Sequence, residues 1–188
     1  MVSLQSESNP WFHYDFDMPP EEEYVSAFDR TLRPSYDDDL ELIPPNQGDP
    51  LVEETLQTLV KNAFVEAYVS SPLRCSSNQS YTLFVPIQSP EMDKSLELMM
   101  TPGKSFEDRQ NRVQGKAWQE KLLLRHMCPY RILPEELQGQ DVHITTKWGE
   151  FDINAYGWIT PDIQIVKYVL MPHASLYFIT SEIVYDMD

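Results

Sequence analysis

Residues 142–155 read Val-His-Ile-Thr-Thr-Lys-Trp-Gly-Glu-Phe-Asp-Ile-Asn-Ala, and the fold class of the chain turns on them. If Trp148-Gly149 forms a two-residue hairpin turn, Lys147 pairs with Glu150, Thr145 with Asp152 and His143 with Asn154. Val142, Ile144, Phe151, Ile153 and Ala155 then share the opposite face. One register therefore sorts polar from apolar side chains, as a hairpin with one buried face requires. Downstream, Ile163–Leu170 and Ser175–Tyr185 are almost continuously apolar, the pattern of strands covered on both faces. Upstream, Tyr81–Ile87 is a further β-rich run, in which Pro86 points to an edge strand or an early exit from the sheet.

Helical spacing fills the segments between. Asp49 as N-cap, Pro50 at the first helical position and acidic Glu53 and Glu54 mark a helix start. Val52, Leu56, Leu59, Val60, Ala63 and Ala67 continue an apolar face to about Val69. Ser89-Pro90 opens a second, short helix to about Met100. Ser105 followed by Asp108 gives a capping-box start for a third, running to about Met127 with Gly115 inside it. The stretch Pro129–Leu137 reads as an irregular connection. The expected fold is α+β: two or three helices packed on an antiparallel sheet of four or five strands, with a C-terminal β-meander and an extended acidic N-terminal arm.

Charge divides the chain in the same place as the pattern does. Of 188 residues, 14 are basic and 30 acidic, a formal charge of −16. Residues 1–50 hold twelve of the acids and two arginines, net −10, whereas residues 51–188 hold eighteen acids and twelve bases, net −6. Seven prolines in residues 1–50, six of them before residue 49, and no sustained period mark residues 1–48 as an acidic, Pro-rich extended arm, and residues 49–188 as a single α+β domain. No apolar run approaches the roughly 18 residues of a membrane helix. Lys167, Pro172, His173 and Glu182 interrupt the most apolar region, and the N-terminus lacks the basic-then-apolar pattern of a secretory signal. The expectation is an intracellular protein, cytoplasmic or nuclear, with Cys75 and Cys128 reduced. So acidic a chain is a poor match for nucleic acid or anionic lipid, and basic partners are favoured.

The arm carries the candidate binding residues. Trp11, Phe12, Tyr14 and Phe16 are interleaved with acids, as in segments that fold on a partner or back onto their own domain. Asp37, Asp38 and Asp39 precede Leu40, Glu41, Leu42 and Ile43. An acidic run beside this apolar pattern resembles a SUMO-interacting motif, which adds a strand to a sheet edge and sets its carboxylates against a basic rim. Pro19–Tyr24, with tandem prolines, favours a polyproline II stretch but lacks the compact spacing of a WW-domain ligand.

Catalytic chemistry is not assembled. His126 and Cys128 are two residues apart, so no helix brings them to one face. No Cys-x-x-Cys or His-x-x-x-His pair suggests zinc, the six glycines are scattered, and Asp37–Asp39 lack the spacing of a calcium loop. His143, Lys147, Glu150 and Asp152 would share one hairpin face, either as an acid–base cluster or as an ordinary solvated surface. The expected function is accordingly a non-enzymatic, regulatory protein–protein interaction without a cofactor. Its partner is another protein with a basic or mixed-charge surface, the arm is an additional contact, and self-association is open. Two alternatives compete: an acidic mimic of nucleic acid that inhibits a nucleic-acid-binding protein, and a small viral structural protein of matrix or tegument type.

Overall fold

Residues 12–15 (backbone only), 47–159 and 161–185 are described by the computed structural model. Eight strands are present among them: β1 (Phe12–Asp15), β2 (Tyr81–Pro86), β3 (Met127–Cys128), β4 (Val142–Thr145), β5 (Glu150–Ile153), β6 (Trp158–Ile159), β7 (Ile163–Leu170) and β8 (Ala174–Ile179). Five helices accompany them: α1 (Pro50–Leu59), α2 (Ala63–Ser70), α3 (Pro90–Met99), α4 (Phe106–Arg125) and the single turn α5 (Pro134–Leu137).

The sheet order is β3-β2-β8-β7-β6-β5-β4, with β1 added in parallel beside β7. This overturns the expected antiparallel sheet of four or five strands with two or three helices. The path holds seven strands and is mixed, because β2 runs parallel to β8, pairing Tyr81 with Ala174 through Pro86 with Ile179. Strands β3 and β6 have two residues each, too few for any periodicity to announce them. From β4 to β8, successive strands are antiparallel neighbours. The sheet also curls until its ends meet: the Lys147 N–H donates to the Met127 carbonyl (2.9 Å), and the Thr145 N–H to the Tyr130 hydroxyl (3.2 Å). The result is close to a barrel.

Two cores follow from this curvature. One lies between the helices and the sheet and includes Val52, Leu56, Phe64, Tyr68, Leu83, Val85, Leu122, Leu123, Val169, Leu176 and Phe178. The other is enclosed by the sheet and includes Phe84, Ile144, Phe151, Ile153, Ile159, Ile163, Ile165, Tyr168, Tyr177 and Ile179. Along β7 the enclosed side takes Ile163 and Ile165, then Tyr168. The change from odd to even positions occurs at a bulge between Ile165 and Lys167, which inserts one residue and turns the rest of the strand over.

Local expectations are corrected where tertiary bonds compete. The β4–β5 register is His143 opposite Asp152 and Thr145 opposite Glu150, two residues from the two-residue-turn register. Lys147 leaves the ladder to bond Met127, and Thr146–Gly149 becomes the turn. Within it the Thr146 N–H donates to the Gly149 carbonyl (2.8 Å), and Gly149 adopts φ +89°. A shift of two keeps every side chain on its expected face. The first helix breaks at Asn62, whose side-chain oxygen caps α2 through the Val65 N–H (3.0 Å) while its amide donates to the Pro86 carbonyl (2.8 Å). Strand β2 is interior and ends at Pro86, so the proline marks an exit. β8 stops at Ile179 because the following segment is drawn to the helices. There Glu182 accepts from the Glu91 (2.8 Å) and Met92 (2.9 Å) N–H groups at the start of α3, and the Ile183 N–H donates to His126 Nε2 (2.9 Å).

Helices α3 and α4 form an antiparallel pair whose closest approach is at Gly115. A Cβ there would lie 2.6 Å from the Ser95 carbonyl oxygen and 2.7 Å from the Met99 nitrogen. Helix propensity alone makes Gly115→Ala stabilising by about 1 kcal/mol, whereas overpacking against backbone costs about 1–3 kcal/mol. Backbone cannot rotate away, so the clash wins. The expected outcome is a melting temperature lowered by about 3–6 °C in thermal denaturation; an increase would show that the helices separate freely.

Candidate partner-binding surface

The helices cover one side of the sheet unevenly. Around β2 and β8 both faces are buried and the outward face of β7 is half-buried, but the outward side chains of β4–β6, namely His143, Thr145, Glu150, Asp152 and Trp158, are exposed. Alternation dictates this: Ile144, Phe151, Ile153 and Ile159 point into the enclosed core, so their neighbours point to water. His143 sits between two carboxylates. Its Nδ1 is 2.7 Å from Asp152 Oδ1, and its Nε2 contacts Glu150 Oε1. Asp152 is directly across the ladder from His143, and Glu150 is the diagonal neighbour. Hydrogen bonds donated by the ring to Asp152, then to Glu150, hold the imidazole above its usual value, favouring the imidazolium.

Beside this trio, Asp141, Val142, Ile153 and Asn154 complete an open depression of about 440 Å³. Trp158, 39% exposed, lies on the same outward face, where the Asn154 N–H donates to its carbonyl (2.8 Å). Trp148, with Lys121 Nζ 5.2 Å from its ring centroid, stands at the β4–β5 turn. Arg125 fixes that turn, donating to the Trp148 carbonyl (3.3 Å) and, from its other terminal nitrogen, to the Tyr185 carbonyl (2.9 Å).

The residues expected to bind through the arm are brought together only in part. Phe12 and Tyr14 belong to β1, paired from Phe12 opposite Lys167 to Asp15 opposite Leu170. β6 covers β7 at Ile163 and Gln164, which leaves the Lys167–Leu170 edge for β1. Trp11, Phe16, Asp37, Asp38, Asp39, Leu40, Leu42 and Ile43 lie outside the described residues, as does Pro19–Tyr24. Trp158 was not among the candidates, since a two-residue strand carries no alternation to assign it a face.

The interior groups are structural in their geometry. Cys75 and Cys128 are both buried free thiols; burial pushes Cys75 up to about 11 and raises Cys128. His173 Nε2 (2.5 Å) and the Tyr81 hydroxyl (2.6 Å) converge on Asp49 Oδ2. This draws the Asp49 carboxylate off the helix cap that the sequence implies, and the Glu53 carboxylate takes the Asp49 N–H instead (2.9 Å). Burial pushes Glu182 up to about 7, against the pull of its two N–H donors. Among the described residues, no group of three or more His, Cys, Asp or Glu side chains could hold a metal ion, and no helix is long and apolar enough to cross a membrane. No protein-family model matches the chain, and no curated protein matches it.

Two titrations follow from this geometry. His126 Nδ1 donates to the Leu122 carbonyl (2.7 Å) and its Nε2 accepts from Ile183, so the buried ring is neutral, with burial pushing it down to about 4. The unfolded chain takes up this proton near 6.5 and the folded one near 4. Stability therefore falls as pH drops through that window, by about 3 kcal/mol when complete. Glu182, held up near 7, contributes the opposite slope over much of the same window, so urea denaturation across pH 7 to 4 reads the His126 part as the difference between proteins: His126→Gln should gain stability relative to the wild type as pH falls. For exposed His143 the expected NMR titration midpoint lies above 6.5 and moves down in Asp152→Asn; an unchanged midpoint would remove the carboxylates as its cause.

Proposed function

We propose that the protein is a non-enzymatic, regulatory protein–protein interaction module of the cell interior, cytoplasmic or nuclear. It docks a basic segment of a partner on the outer face of β4–β6, with the acidic arm as an additional contact. The observation that supports this reading most is the exposed pair Glu150 and Asp152, closed on His143 on the same sheet face as Trp158. A lysine or arginine from a partner can replace the imidazolium between the two carboxylates. Its aliphatic stem or guanidinium plane can lie along the indole, the pairing that favours cations at aromatic surfaces. With −10 in its first fifty residues, the arm adds long-range attraction for the same kind of partner.

Exposed ion pairs are individually weak, so salt should govern association. In a quantitative pull-down with the full-length chain, Glu150→Gln/Asp152→Asn and Asp37→Asn/Asp38→Asn/Asp39→Asn variants should each lose basic partners at moderate salt. The wild type should lose them only at about 0.5 M, where the screening length falls to about 4 Å. The same partners retained by both variants at every salt concentration would overturn the reading.

A further inference from the structure

A second surface, on the α3–α4 pair, has the opposite character. Met100, Phe106 and Val113 are 78%, 72% and 66% exposed, and they belong to neither core. Phe106, Val113 and Ala117 recur at i, i+7 and i+11 of α4, so they form one ridge, turned away from the Gly115 contact with α3. Arg109 and Lys116 flank the ridge, and Lys104 lies in the turn before it, all exposed. Arg112 braces that turn by donating to the Thr101 (2.7 Å) and Gly103 (2.9 Å) carbonyls. The capping box of Ser105 and Asp108 fixes the start of α4 beneath it. A rigid hairpin end thus presents large apolar side chains to water, where isolated ones are unremarkable but a group marks a contact site.

Charge selects the occupant. Residues 104–117, which carry the ridge, hold four bases against two acids in a chain of net −16. A short acidic segment feels mainly the charges within a screening length of about 8–10 Å, which here are net positive, Lys104, Arg109, Arg112 and Lys116 against Glu107 and Asp108. A long polyanion, whether a nucleic acid or an anionic bilayer, extends past the hairpin and meets the repulsion of the whole protein.

We propose that the Phe106–Val113 ridge of α4, with Met100 and the Lys104, Arg109 and Lys116 cations, is a docking site for a short acidic segment of another protein that carries apolar side chains among its carboxylates. The partner's apolar groups pack on Phe106 and Val113, and its carboxylates meet the flanking cations. Together with the acidic β4–β6 face, the site gives the molecule two surfaces of opposite charge that can hold two partners at once. It stands whether or not a basic partner binds the sheet.

The test is fluorescence anisotropy with the full-length protein carrying Asp37→Asn/Asp38→Asn/Asp39→Asn, so that its own copy of the segment does not compete, and a labelled twelve-residue peptide, Ser-Tyr-Asp-Asp-Asp-Leu-Glu-Leu-Ile-Pro-Pro-Asn, the sequence of residues 35–46, used as the acidic, apolar probe. Phe106→Ala and Lys116→Glu should each weaken binding about tenfold, the scale of a side chain central to a contact. Lys61→Glu, an exposed site on the loop between α1 and α2, changes the net charge equally and should change binding less than about twofold. Circular dichroism and melting curves check that the variants fold, as expected for exposed positions. Absence of saturable binding would overturn the proposal, as would binding that responds equally to Lys116→Glu and Lys61→Glu. Equal or tighter binding of single-stranded DNA or phosphatidylserine vesicles would overturn it too, assigning the ridge to polyanions in general.

Discussion

Strand β8 has water on neither face, and the architecture is arranged around that condition. Ala174, Leu176 and Phe178 point to the helices and Tyr177 and Ile179 into the enclosed core, with the whole strand buried. A strand in that position must satisfy its backbone groups laterally, because an unpaired buried N–H or C=O has no solvent to fall back on. β7 supplies one edge and β2 the other, the latter in parallel despite a separation of some ninety residues. Helices α1 and α2 before β2, with α3 and α4 after it, then cover one side, and the β4–β6 strands roll round to cover the other.

The polar groups inside this arrangement are fasteners. Tyr177 donates to the Ile132 carbonyl (2.6 Å), and Thr82 both donates to the Tyr130 carbonyl and accepts from the Ile132 N–H (each 2.8 Å). Arg131 reaches the Met171 carbonyl (2.7 Å) in the β7–β8 turn. Each joins elements distant in sequence, and each leaves a costly buried group if its partner is removed. His126 and Glu182 do the same for the segment after β8. They stop the strand and carry the chain across α3 and α4, which explains why its apolar run continues beyond the last ladder bond.

The proposed contact surfaces are what these constraints leave outside. Once β4–β6 bury Ile144, Phe151, Ile153 and Ile159, alternation delivers His143, Glu150, Asp152 and Trp158 to the surface. Once α4 packs its Gly115 side on α3, its Phe106–Val113 side is left exposed among the described residues. The acidic sheet face and the helical ridge are thus by-products of two packing solutions, and the two proposed contacts rest on their difference in charge.

Much of this was legible in the amino-acid order, because it depends on short range. The capping box at Ser105, the alternation of β4 and β5, the doubly covered character of β7 and β8 and the charge asymmetry of the arm all arise from residues within a turn or a strand of one another. The paired carboxylates around His143 were visible too, since a register error of two preserves the face. Tertiary structure alone decided the parallel β2–β8 pairing, the two-residue strands, the curl that brings Met127 to Lys147, the break at Asn62 and the bulge that turns β7 over. Each is a hydrogen bond or a packing contact between groups far apart in the chain, and local pattern carries no term for the distant partner that makes it favourable.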